Sequence, residues 1–186
     1  MQSKTIILLD SDVLIHFYKA DKLFDLPTIF RTTPCVLLDL VWEELKQTAI
    51  GYGIQLLMNN GSIRLIEFPI DDDLMDYEYE YLKSIGKGMG ESACMAYAKH
   101  HKDNIIASSN LKDLLPYCHN NDIPYLTTVD FLCEALRKEL YSLSDCNNFI
   151  TKVVSKGSIL PVRKMEDYDC AKKMVLKSSV SAKRTK

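Results

Sequence analysis

The chain has no stretch apolar enough to cross a bilayer, no amino-terminal signal peptide, no C-x-x-C pair, no internal repeats and no extended low-complexity tract. The first two absences set the expectation of a cytoplasmic protein with no membrane partner. Six cysteines, Cys35, Cys94, Cys118, Cys133, Cys146 and Cys170, are scattered and read as reduced thiols. Neither they nor His16, His100, His101 and His119 have the spacing of a zinc site, and His100-His101 reads as a dipole-compatible helix end, so the histidines receive no catalytic role. A formal net charge of −2 excludes a global basic signature. Any contact with nucleic acid must therefore come from a local patch.

What is present can bury a core: 186 residues, 47% of them hydrophobic. The length suits one domain over residues 1–140 and an extension over 141–186. Apolar runs at 5–9, 35–38, 63–68, 104–107 and 124–126 read as strands, and helical patterns fill 13–19, 23–30, 40–50, 54–59, 72–84, 91–101, 111–120 and 129–140. This alternation implies an α/β fold with a mainly parallel sheet of about five strands flanked by helices. Beyond 140 the pattern weakens to one further helix around Phe149, Ile150, Val153 and Val154. Residues 172–186 hold six basic residues and no acid, which reads as a solvated terminus before a phosphate-binding arm. The acids Asp71, Asp72, Asp73, Asp76, Glu78 and Glu80 read as a helix start with a solvated face rather than a cation site.

The strand-like run Thr5-Ile6-Ile7-Leu8-Leu9 delivers Asp10-Ser11-Asp12 at its carboxyl end, the edge where open α/β sheets bind ligands. Helix capping and metal or phosphate chemistry suit Asp10 equally well. Glu44 lies about 90° from the centre of a face formed by Val41, Leu45, Thr48 and Ala49, so it can turn inward or remain a flanking surface acid. Glu91 follows Gly86-Lys87-Gly88-Met89-Gly90 and shares a face with Cys94, Met95 and Ala98; the helix dipole alone also explains it. The glycines do not follow a strand and lack the Gly-Lys-Ser/Thr ending of a P-loop, so they read as a flexible turn. A second strand end, Ile106-Ala107-Ser108-Ser109-Asn110, enters a helix in which Asn110 and Asp113 have capping-box spacing. If Asp10, Glu44, Glu91 and Asp113 converge, their repulsion calls for Mg2+ or Mn2+, which oxygen donors suit.

In order and spacing these segments resemble the four motifs of PIN-domain nucleases, the family that includes the VapC-type toxins. Leu9-Asp10-Ser11-Asp12-Val13 resembles the first motif, Glu44-Leu45 the second, Gly90-Glu91 the third and Ser108-Ser109-Asn110-Leu111-Lys112-Asp113 the fourth. The resemblance spans roughly residues 4–136. It implies a three-layer fold and hydrolysis of RNA by a metal-activated water. Asp10, Glu91 and Asp113 would be metal ligands, Glu44 a ligand directly or through water, and Asp12, Ser108, Ser109 and Asn110 supporting or phosphate-binding residues. Lys87 and Lys112 are candidates for substrate phosphates. An antitoxin and a homodimer are further implied partners. Asn110 stands where many relatives carry aspartate, and Ser109 where a basic residue is frequent. Two alternatives stay open: a noncatalytic PIN-like module that binds RNA or protein, and, more distantly, a haloacid-dehalogenase-like phosphatase using Asp10 and Asp12, whose later motifs Ser108 and Lys112 imitate but whose late paired aspartates are missing, since Asp167 and Asp169 follow no convincing strand.

Overall fold

The computed structural model describes residues 5–101 and 103–171; the basic stretch 172–186 lies outside the described residues. Five strands, β1 (Ile6–Leu9), β2 (Cys35–Leu38), β3 (Ile63–Ile66), β4 (Asn104–Ala107) and β5 (Tyr125–Leu126), form one sheet in the order β3-β2-β1-β4-β5. All four pairings are parallel, with Ile7 beside Cys35 on one side and Ile105 on the other. Central strands of such a sheet are covered on both faces, which is why β1 and β2 read as unbroken apolar runs. Ile7, Leu8, Leu9, Val36, Leu37 and Leu38 are fully buried. Each such side chain contributes about 1.5–3 kcal/mol on leaving water.

Helices complete the expected α/β architecture: α1 (Ser11–Lys19), α2 (Leu26–Ile29), α3 (Asp39–Leu45), α4 (Gly51–Asn59), α5 (Asp73–Ser84), α6 (Met89–His100), α7 (Leu111–Asn120), α8 (Thr128–Arg137) and α9 (Leu143–Ser155). One group packs α6 against α3, α5 and α7, and another packs α1 against α8 and α9. In the second, Phe17 meets Phe131 and Phe149 edge-on, with ring centroids 5.7 and 4.9 Å apart. Phe149, Ile150 and Val153 are buried, so α9 forms and packs on the core through the residues that marked it in the sequence.

Three local expectations change. The helix expected over 40–50 stops at Leu45, where the Thr48 hydroxyl donates to the Leu45 carbonyl at 2.7 Å and the chain turns back. Thr48 and Ala49, expected on its buried face, are exposed. A Cβ on Gly51 would lie 2.5 Å from the Lys46 carbonyl, and the missing side chain permits this close return. Among the acids at 71–80, Asp72 caps α5 by accepting from the amides of Leu74 and Met75, in keeping with a helix start. Glu78, however, is buried and accepts from Lys99 at 2.6 Å and from the Tyr117 hydroxyl at 2.8 Å. Finally, the cysteines are not all thiols: Cys133 on α8 and Cys170 form a disulfide across 37 residues, while Cys35, Cys94, Cys118 and Cys146 are free and buried. The Tyr168 hydroxyl donates to Asp130 at 3.1 Å and brings Cys170 beside α8, a proximity that no sequence spacing encodes. No helix among the described residues is long and apolar enough to cross a membrane.

Candidate active site

Successive strands are added on one side of β1 as far as β3, and the chain then crosses to place β4 on the other side. The switch point is therefore between the carboxyl ends of β1 and β4, where a crevice opens in sheets of this kind. Asp10 stands at the first end and Ser108-Ser109-Asn110 at the second, with the Asp10 amide donating to the Ala107 carbonyl at 3.0 Å. Asp10 is also the N-cap of α1, accepting from the Ser11 amide at 2.7 Å. Capping and delivery to the crevice thus coincide in one residue. Burial pushes its carboxyl above the usual range and the nearby Glu44 charge adds to the rise, while hydrogen bonds from Ser108 and Ser11 oppose it.

Asp12 lies one step further, in the first turn of α1. Its Oδ2 accepts from the Ser109 amide at 2.7 Å, which joins the two strand ends. Its Oδ1 is buried with no hydrogen-bond partner among the described residues. Such an oxygen needs a proton or a cation. Burial, then the Asp10 charge, pushes this carboxyl up to about 7.

The remaining acids come from the helices packed on that edge. Glu44 is exposed as a residue, yet its Oε1 accepts from the Gly90 amide at 2.7 Å and satisfies one of the free donors at the start of α6. The absence of a side chain at Gly90 permits this approach, because a Cβ there would lie 2.9 Å from Glu44 Oε2 and 3.0 Å from Val41 Cγ2. Glu91 follows in the first turn of α6. Burial first, then the charges of Asp10 and Asp113, raise its carboxyl to about 7. Asn110 spans the gap to α7: its amide nitrogen donates to Glu91 Oε1 at 3.0 Å and to Asp113 Oδ2 at 3.1 Å. Lys87 donates to the other oxygen of Asp113 and, together with Asn110, holds that carboxyl below its usual range. Beneath them Cys94 is fully buried in the field of Asp10, Glu44, Asp12 and Glu91, and its thiol stays neutral.

At this edge Asp10 feels the charge of Glu44, and Glu91 feels those of Asp10 and Asp113. Among the described residues no three acidic, histidine or cysteine side chains already stand as a metal-holding group. The capping box expected of Asn110 and Asp113 does not form, because the Asn110 side chain makes no cap bond and is drawn across to Glu91. Gly86, with φ +88°, fits the flexible turn expected of the glycines, whereas Gly90 lies inside α6. One further carboxylate at this edge is already engaged: Asp39, after β2, accepts from the amides of Leu40 and Phe68 at 2.9 Å each.

Two residues escape sequence reasoning. The Thr128 hydroxyl, at the start of α8, lies 2.8 Å from His16 Nδ1 and 2.8 Å from Ser109 Oγ, and its amide donates to Ser109 Oγ at 3.0 Å. The available signal was the four-residue step from Asp12 to His16, which puts both on one face of α1. Burial, then the Lys19 charge, lowers His16 to about 4 and keeps the ring neutral. No family model, no curated protein and no solved structure matches this chain.

Proposed function

We propose that the chain is a divalent-metal-dependent endoribonuclease of the PIN type that hydrolyses RNA phosphodiester bonds. One observation carries this reading: Asp10, Asp12, Glu91 and Asp113, from three separate stretches of chain, interact at the switch point, and the buried Oδ1 of Asp12 has no partner among the described residues. The donor set is all oxygen, which suits Mg2+ or Mn2+ better than a soft ion. Asp10, Glu91 and Asp113 would hold the ion, and Glu44 would serve directly or through water. When bound, such an ion lowers the pKa of a water and stabilises charge on the leaving oxygen. Around it, Ser108, Ser109 and Asn110 offer donors for a phosphate oxygen, Asp12 fixes the Ser109 backbone, and Lys87 and Lys112 supply positive charge for the substrate. A toxin role, an antitoxin partner and a homodimer rest on the motif resemblance alone.

The test is cleavage of an end-labelled RNA with Mg2+ or Mn2+, with Asp10→Asn and chelator as controls. Divalent-dependent cleavage that vanishes in both controls supports the nuclease. A second reading, a noncatalytic RNA- or protein-binding module, is favoured by Lys87 resting on Asp113. RNA binding without cleavage is its signature. The phosphatase reading gains no support, because Asp167 and Asp169 are exposed and follow no strand among the described residues after β5.

A further inference from the structure

Three side chains form a line from the interior of α1 to the acidic crevice. His16 Nδ1, Thr128 Oγ1 and Ser109 Oγ follow one another at 2.8 Å steps, and the Ser109 backbone amide reaches Asp12 Oδ2 at 2.7 Å. His16 and Thr128 are buried, and Ser109 is half-buried at the crevice. A hydroxyl has one proton and two lone pairs, and the buried Thr128 hydroxyl has no hydrogen-bond partner among the described residues besides His16 and Ser109, so two proton orders keep its proton within the line.

In the first order Nδ1 carries a hydrogen and donates to Thr128, and Thr128 donates to Ser109. Ser109 Oγ also accepts the Thr128 amide at 3.0 Å, so both of its lone pairs are filled and its own proton is left for a group outside the line. In the second order Nδ1 accepts, the Ser109 proton is taken up by Thr128, and Ser109 offers only a lone pair. The carboxylates choose between them. Asp10 and Asp12 lie at the Ser109 end and Lys19 acts on the His16 end, so the field favours dipoles whose hydrogens point toward the acids.

We propose that His16 and Thr128 are positioning residues that hold the Ser109 hydroxyl as a hydrogen-bond donor, with His16 neutral and protonated on Nδ1. Its acceptor is a phosphodiester oxygen, which can accept but not donate; that part rests on the nuclease reading, whereas the proton order does not.

Long-range proton–nitrogen NMR of the intact protein near neutral pH reads the His16 tautomer directly, and the expected result is hydrogen on Nδ1. Kinetics on an end-labelled RNA with Mg2+ supply the second arm. Thr128→Val and Ser109→Ala should each lower kcat/KM about tenfold, the worth of one hydrogen bond to a charged group, and the double variant should lose no more than either. Thr128→Ser should restore the rate. A merely structural Thr128 would instead give losses that add to those of Ser109→Ala and follow the melting temperature. Hydrogen on Nε2 in the wild type, or additive losses, overturns the proposal. If the wild type cleaves no RNA, the nuclease reading falls by itself and the tautomer alone decides the proton order, a measurement that needs no variant to fold.

Discussion

The ammonium of Lys87 rests on the carboxylate of Asp113, so the chain carries its own counter-ion at one corner of the acidic crevice. A divalent cation has to compete with that ammonium for the same oxygens. Lys87→Gln should therefore tighten Mn2+ binding, by up to about fivefold, since pairs with this much exposure are worth little. Titration calorimetry checks it, and in the nuclease reading the same variant raises KM for RNA through the lost phosphate contact.

Asn110 lends one amide group to Glu91 and Asp113 together. Asn110→Asp replaces that shared donor by a third negative charge. The expected outcome is a lower melting temperature without divalent ions and a larger gain in melting temperature when Mn2+ is added. Asn110→Ala should also lower stability, because it leaves two neighbouring carboxylates to repel, but without the larger gain. Thermal denaturation with and without Mn2+ separates the two.

Asp12 and Glu91 bind protons more tightly in the fold than in the unfolded chain, both with values near 7 against ordinary values of 3.8 and 4.5. Between those values the folded state carries more protons on these two groups, so the stability they contribute is fully present below about pH 4 and is lost as pH rises through about 7. On this ground the metal-free protein should melt at a lower temperature near pH 8 than near pH 5, and Asp12→Asn should flatten the difference. Divalent ions displace these protons, so their apparent affinity should climb across the same window. Melting curves over that range, with and without Mn2+, check both signs.

A methyl group at Gly90 would meet Val41 at 3.0 Å and the Glu44 carboxylate at 2.9 Å. Gly90→Ala should force the start of α6 away from α3 and cost about 1–3 kcal/mol of stability, as overpacking does. Denaturant unfolding measures it. The displaced first turn carries Glu91, so in the nuclease reading activity falls further than stability explains.

The sheet was legible because both faces of its central strands are covered, so β1, β2 and β4 appear as short apolar runs that stop in polar residues. The four acids were legible for a related reason, since they stand just past those strands or on inward helix edges. Asn110 was not, because a local capping box and a long-range bond to Glu91 compete for the same side chain and only packing of α6 against α7 decides between them. His16 and Thr128 meet across 112 residues, and such a bond leaves no periodic trace in either helix. The Cys133–Cys170 pair failed for the same reason, with the contact set by how the segment after α9 returns to α8.

The most direct test of the account is the rate of cleavage of labelled RNA by the intact chain in Mg2+ or Mn2+, set against Asp10→Asn. An ion that supplies several kcal/mol of charge stabilisation makes the expected loss on the order of a thousandfold, matched by chelation. Cleavage that persists in Asp10→Asn, or that proceeds equally in chelator, would contradict it.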